Sequence, residues 1–182
     1  MGCHNINFVT PTHYVPQIVA SLADATEMGL RLPIVYNCSG YESTEVIRLL
    51  DGIVDIYMPD VKFMNPEYSE KFCNAPDYPE VIKKALKEMH RQVGDLAGNS
   101  DGIAERGLLI RHLVMPGGVA SSEEVLRFIA KEISVHSYIN VMEQYRPEYL
   151  AHEFEEISRR ITQKEYLEAV QMARRFGLYR GL

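Results

Sequence analysis

The chain has 182 residues, 46% of them hydrophobic, which is enough for a core and makes a single domain over 1–182 the default. Its 19 Lys and Arg against 25 Asp and Glu leave a net charge of -6, and no basic run or basic–aromatic stripe interrupts that balance, so a strongly nucleic-acid-binding surface is excluded. No apolar stretch approaches the about 20 residues of a membrane span and no signal-peptide pattern stands at the start, so no membrane partner is expected.

Five apolar runs, Asn5–Pro11, Leu32–Gly40, Val54–Lys62, Leu108–Gly118 and Tyr138–Tyr145, each end in polar or Gly/Pro residues and alternate with helical patterns. Ile6, Phe8 and Val9 give the first strand. The helix from about His13 to Met28 follows, with Ile18, Val19, Leu22 and Ala25 on one stripe and Gly29 closing it. Leu32, Ile34, Val35 and Tyr36 form the second strand, and a short helix with Val46, Ile47 and Leu50 ends at Asp51-Gly52. Val54, Ile56 and Tyr57 lead a third strand that carries Asp60-Val61-Lys62. Pro66–Cys73 reads as one helical turn or two, and Pro79–Val93 as a fuller helix with Ile82, Leu86, Met89 and Val93 in register. Gly94–Gly107, rich in glycine, Asp and Asn, reads as a mobile loop, either linker or lid. Leu108–Met115 is the fourth strand, Ser121 to Glu124 a capping box before the helix of Val125, Ile129 and Ile133, and Ile139, Val141 and Met142 the fifth strand. Thr162 to Glu165 is a second capping box, opening a last helix with Tyr166, Val170 and Ala173 that ends at Gly177.

Strand and helix in repeated alternation predict a parallel α/β fold, with ligands at the carboxyl ends of the strands. Five units are too few for an eight-stranded barrel of about 250 residues. They suit an open doubly wound sheet, or a partial barrel whose first unit is absent. The chain opens one step from its first strand, which reads as a cut within a domain.

The strand ends hold the candidate chemistry. Asp60 and Lys62 are two apart on a strand and so project from one face. Such a pair suits a zwitterionic ligand, a rim ion pair, or a Schiff-base lysine with an acid as proton partner. Thr10-Pro11-Thr12-His13 is a rigid turn suited to receiving an ammonium group, or a turn with Thr12 as N-cap. Asn37-Cys38-Ser39-Gly40 offers amide and hydroxyl groups. Arg111 is a cation on an apolar strand, which calls for an anion: a ligand, or Asp60. Cys3, Cys38 and Cys73 are odd in number and lack metal-knuckle spacing; they read as free thiols in a reducing, cytoplasmic setting.

Asn5–Pro16, Tyr57–Phe63 and Arg111–Gly117 closely resemble radical S-adenosylmethionine (radical SAM) proteins, nearest to homologues of the pyruvate formate-lyase activating enzyme. The resemblance covers nearly the whole chain, and the run from Thr10 to Pro16 is a specific part of it. It implies a partial (β/α)6 TIM-like barrel lacking its first strand–helix unit, with five parallel strands alternating with helices. It further implies a [4Fe–4S] cluster on a CxxxCxxC loop, S-adenosylmethionine on the cluster's open iron, a 5′-deoxyadenosyl radical, and hydrogen abstraction from a glycine of a partner glycyl radical enzyme. By the same resemblance Thr10, Pro11 and Thr12 stand where the family's loop receives the methionine ammonium, and Asp60 and Lys62 match an Asp-x-Lys that contacts S-adenosylmethionine. Arg111 and Leu113 fall near ribose and adenine, Asn37 and Ser39 at a Thr-Asn-Gly turn, and Tyr145 in place of a His.

No CxxxCxxC occurs in these residues. The expectation is therefore a truncated radical SAM barrel domain that binds no cluster and is inactive by itself, with cluster and activity belonging to a longer parent. Its uncovered Asn5–Val9 edge is expected to drive self-association. The alternatives are a Schiff-base lyase or aldolase using Lys62 on an open α/β sheet, and a non-catalytic binding module.

Overall fold

A computed structural model describes residues 2–182. The β-branched and aromatic runs form strands and the amphipathic stretches form helices. β1 (Ile6–Val9) leads through a 3-10 turn at Pro11–Tyr14 into α1 (Val15–Glu27), β2 (Ile34–Cys38) into α2 (Thr44–Leu49), and β3 (Ile56–Val61) into α3 (Pro66–Cys73) and α4 (Tyr78–Val93). Then come the short β4 (Ala97–Gly98), β5 (Ala104–Leu113), α5 (Ser122–Phe128) with a π-helical turn at Ile129–Ile133, β6 (Tyr138–Met142) and α6 (Gln163–Arg175). β1, β2, β3, β5 and β6 lie side by side in that order, all parallel. β4 runs antiparallel against the first residues of β5.

Alternation along the strands sorts the two faces. Tyr36, Tyr57, Leu108, Ile110 and Ile139 join one buried cluster with Leu22 of α1, Ile47 of α2, Leu86 of α4, Leu126 of α5 and Ala173 of α6, and Phe72 of α3 packs against it. All six α-helices of the described residues therefore cover the same face. A doubly wound sheet carries helices on both, so that alternative is not the one adopted. The opposite face is open at the carboxyl ends of its strands. At the starts of the strands it is closed by a second small cluster of Val35, Ile56 and Leu96, with Met58, Leu109 and Tyr138 packed against it. β1 pairs with β2, and among the described residues no strand lies on its other side; Val9 is 67% exposed.

Three sequence expectations need correction here. Gly94–Gly107 is not a structureless linker or lid: it contains β4 and the start of β5, so the fourth parallel strand begins at Ala104 rather than Leu108. Leu96 anchors it by burial against the strands, a contribution of about 1.5–3 kcal/mol for a fully buried leucine. Asn99 closes the tip, its side-chain oxygen accepting from the amides of Asp101 and Ile103. The glycines and polar residues that suggested mobility are instead turn chemistry. Ser121 occupies the N-cap position of α5 as expected, but it sits in the left-handed region (φ 52°) and its hydroxyl makes no capping bond. Thr12 is not an N-cap, because it lies inside the 3-10 turn and Tyr14 precedes α1. The second capping box forms as expected, with Thr162 and Glu165 each bonding the other's backbone amide.

His112 locks three elements together behind the sheet. It is 0% exposed. Its Nδ1–H donates to the Val61 carbonyl at 2.8 Å, which leaves Nε2 to accept from the Ser122 hydroxyl at 2.9 Å. Burial lowers its pKa from 6.5 to about 4. The neutral ring is the native form, so the unfolded chain takes up the proton first as pH falls. The His112 contribution is complete above about pH 6.5 and is lost between there and about pH 4, by about 1.4 kcal/mol per pH unit at most, or about 3 kcal/mol in all. Urea titrations at pH 7 and 4.5 should show a steeper loss for the native chain than for His112→Gln. Equal slopes would mean that this ring does not control acid stability.

Candidate functional site

The ends of β2, β3 and β5 bring a polar group together on the open face. Asp60 and Arg111 are direct partners across the β3–β5 ladder. Arg111 Nε donates to Asp60 Oδ1 at 2.7 Å, and its Nη2 donates to the side-chain oxygen of Asn37 at 2.7 Å. Lys62 Nζ lies 3.1 Å from the other Asp60 oxygen. One carboxylate is thus held between two cations, which answers why a guanidinium sits on this sheet: Asp60 and Asn37 compensate it. The side chains of Asp60 and Arg111 are 18% and 22% exposed, and Lys62 is 32% exposed.

The arrangement has donors to spare. Arg111 presents five N–H groups in a planar fork and Lys62 three, and the contacts above use only some of them. Two cations against one anion leave a surplus positive charge facing solvent. An anionic group such as a carboxylate is the natural complement, with the Asp60 oxygens available to an ammonium or hydroxyl beside it. Asp60 and Arg111 of this group border an open depression of about 380 Å³, where Leu113 and Met142 add apolar surface and Tyr145, Arg146 and Glu148 also line it. Tyr145 is anchored by its hydroxyl, which donates to the Ile157 carbonyl at 2.8 Å.

Not every expected residue converges there. Thr10 adopts a left-handed conformation (φ 54°) and its amide donates to the Asn37 carbonyl at 2.8 Å, which sets the β1 end against the β2 end. Pro11 is buried. Thr12 turns its hydroxyl away, donating to Glu42 Oε1 at 2.6 Å. Ser39 is exposed, and its hydroxyl accepts from the Tyr41 amide at 3.4 Å. Asn37, Asp60, Lys62, Arg111 and Leu113 therefore share the open face, while Pro11, Thr12 and Ser39 shape the loops beside it.

Two supporting residues were not singled out from sequence. Glu42 is 2% exposed and also accepts from the Tyr36 hydroxyl at 3.1 Å. Burial raises its pKa, an effect opposed by the hydroxyls of Thr12 and Tyr36. An acid two residues past Gly40, at a strand's polar end, was the available signal. Tyr78, at the start of α4, places its hydroxyl among the main-chain groups of Ser39, Asp60 and Lys62. Nothing in its sequence context marks it. Glu165 performs a similar service for the turn after β5, accepting from the Gly117 amide at 2.8 Å while paired with Arg159.

Cysteine does not contribute to this face. Cys38 is buried behind the sheet, where burial pushes its thiol pKa well up, and Cys3 and Cys73 are exposed elsewhere. Among the described residues no three His, Cys, Asp or Glu side chains converge to hold a metal ion. The chain's own residues do not fit an iron–sulfur cluster. No helix among the described residues is long and apolar enough to cross a membrane.

The chain matches no protein-family model. It is 34% identical over 177 residues to an uncharacterised protein of Methanocaldococcus jannaschii, an alignment that covers 96% of this chain and 47% of that protein. The chain thus spans about half the length of the curated relative it matches. Among solved structures it superposes on the crystal structure of a domain of pyruvate-formate lyase-activating enzyme from Bacteroides vulgatus, with a TM-score of 0.67, 15% identity and 98% of each chain covered. At that identity the likeness is one of fold: a mixed α/β domain with a parallel sheet, similar to an activating-enzyme domain.

Proposed function

We propose that the open face binds S-adenosylmethionine, and that the chain is the cofactor-holding wall of a partial (β/α)6 barrel in a radical SAM enzyme of the activating-enzyme type. The observation that carries this is the Lys62–Asp60–Arg111 group at the carboxyl ends of adjacent parallel strands, on the face left free of helices. Lys62 and Arg111 take the methionine carboxylate or ribose hydroxyls, and Asp60 a hydroxyl or the ammonium. Asn37 adds a polar contact, Leu113 and Met142 give the adenine an apolar wall, and the Thr10-Pro11-Thr12 turn and the Ser39 loop border the ammonium end. The arrangement of helices on one face and the superposition on an activating-enzyme domain support the barrel reading.

In this reading the iron–sulfur cluster is held by parts of a whole protein outside these residues, as the greater length of the M. jannaschii relative allows. Hydrogen abstraction, from a partner glycine or a small molecule, is likewise the whole protein's activity.

Calorimetric titration of the chain with S-adenosylmethionine tests the proposal. Binding with a Kd of about 0.1–1 mM is expected, and Asp60→Ala and Lys62→Ala should each weaken it at least about tenfold, the effect of losing one charge-assisted contact. No binding at several times the upper concentration, or unchanged binding in both variants, would refute it. Borohydride trapping of a carbonyl probe such as pyruvate on Lys62 would point instead to Schiff-base chemistry.

A further inference from the structure

The open-face pair depends on how the end of β3 is held: the β3–β5 ladder holds one edge, with Asp60 opposite Arg111 and Val61 opposite His112, but the β2 side has no ladder there. The β2–β3 register stops at Cys38 opposite Pro59, a residue with no amide hydrogen to offer. Past that point the facing edges of β2 and β3 need other partners. The Tyr78 hydroxyl supplies them. It accepts from the Lys62 amide at 3.1 Å and donates to the Asp60 carbonyl at 2.9 Å, with the Ser39 carbonyl 3.2 Å away. Two of those backbone groups belong to Asp60 and Lys62 of the candidate site, and the third to Ser39 in the loop beside it. The approach is tight. A Cβ on Gly40 would meet the Asp60 carbonyl oxygen at 2.7 Å and Ile82 Cδ1 at 2.2 Å, and Gly40 has φ +78°, so glycine alone lets the β2 end come this close to β3.

The Tyr78 ring is itself fixed. It is 5% exposed, crossed edge-on by Phe63 with centroids 6.0 Å apart, and stacked against Tyr41 at 5.9 Å. Tyr41 is tied in turn by its hydroxyl to Asp77 at 2.6 Å. The side chains of Asp60 and Lys62 leave a backbone held by β5 on one edge and, on the β2 edge, by one hydroxyl on a packed ring.

We infer that Tyr78 is the positioning residue of the ligand-binding pair: its hydroxyl fixes the main chain from Asp60 to Lys62 against Ser39, and so aims the Asp60 carboxylate and Lys62 ammonium at the open face. The inference rests on the ligand reading proposed above, but its geometric half can be tested without a ligand.

The variant is Tyr78→Phe, which keeps the ring and removes only the hydroxyl. The control is Tyr57→Phe, another buried tyrosine, whose hydroxyl donates to Gln92 at 2.7 Å away from these groups. Three quantities are compared with the native chain: exchange of the Lys62 amide by NMR, affinity for S-adenosylmethionine, and the thermal midpoint. Tyr78→Phe should speed Lys62 exchange by about tenfold or more and weaken affinity about three- to tenfold. Tyr57→Phe should lower the thermal midpoint comparably while leaving both other quantities within about twofold. Unchanged Lys62 exchange in Tyr78→Phe overturns the inference whether or not the native chain binds S-adenosylmethionine. Equal loss of affinity in both variants overturns it too, since that would be general destabilisation. A native chain that binds no S-adenosylmethionine refutes the ligand reading alone, and the exchange measurement then decides the positioning role.

Discussion

Replacing Gly107 by alanine is expected to lower stability by about 3–5 kcal/mol, or to prevent folding. Gly107 has φ +124°, a conformation that side chains rarely adopt, and a Cβ there would lie 2.4 Å from Leu96 Cα, 2.6 Å from the Asp95 carbonyl oxygen and 2.7 Å from the Leu96 amide nitrogen. All three are backbone atoms and cannot rotate aside. Nor can Gly107 retreat: it pairs with Ile56 in the β3–β5 ladder, and its amide donates to the Asp55 carbonyl at 2.9 Å. The hairpin that buries Leu96 over the strand starts depends on this crossing. Gly102, at the hairpin tip with φ +78° and open space around its Cβ position, is the control. Its alanine variant should cost only about 1 kcal/mol. Urea unfolding of the two variants decides the matter, and equal costs would show that the crossing at Gly107 can relax.

Arg111→Ala should have the largest effect on the site. It removes the donors to both Asp60 and Asn37 and leaves the Asp60 carboxylate, 18% exposed, with Lys62 as its remaining cation. Breaking a fully buried pair costs about 3–5 kcal/mol; partial exposure here reduces that to about 1–2 kcal/mol of stability. Affinity for S-adenosylmethionine should fall by at least about 30-fold, because one contact to the ligand is lost and the neighbouring groups lose their alignment. Arg111→Lys should fall between native and alanine, since a single ammonium cannot reach Asp60 and Asn37 as a planar fork does. Calorimetry on the two variants checks the order. An alanine variant that binds within about twofold of the native chain would place the ligand elsewhere.

The strands and their carboxyl ends were legible because burial on a parallel sheet forces continuous apolar runs, and a polar residue at such a run's end stands out. Asp60, Lys62 and Arg111 were found that way, and strand alternation alone put the first two on one face. What escaped was chemistry without a local signature. The hairpin at Ala97–Gly98 rests on Leu96 reaching Val35 and Ile56, which are distant in sequence. Thr12 looked like a cap because threonine before a helix commonly is one, yet its hydroxyl found Glu42, thirty residues on. Ser121 matched a capping box by type, but the tight Pro116–Gly118 turn delivers it in a left-handed conformation that cannot cap. Tyr78 and His112 work through main-chain groups of other strands, and no spacing rule reports such contacts. The site's polar ends are thus written locally, whereas the groups that hold them in place are set by tertiary packing.

The most direct measurement is a map of amide chemical shifts as the chain is titrated with S-adenosylmethionine. The proposed site predicts that the largest changes fall at Asn37, Asp60, Lys62, Arg111, Leu113 and Met142, and that they saturate together with one Kd. The contradicting result is either no change at those amides up to about 5 mM ligand, or changes concentrated around Leu30, Ile34, Ile53 and Asp55, which line a separate depression of about 400 Å³ between α1 and the starts of β2 and β3.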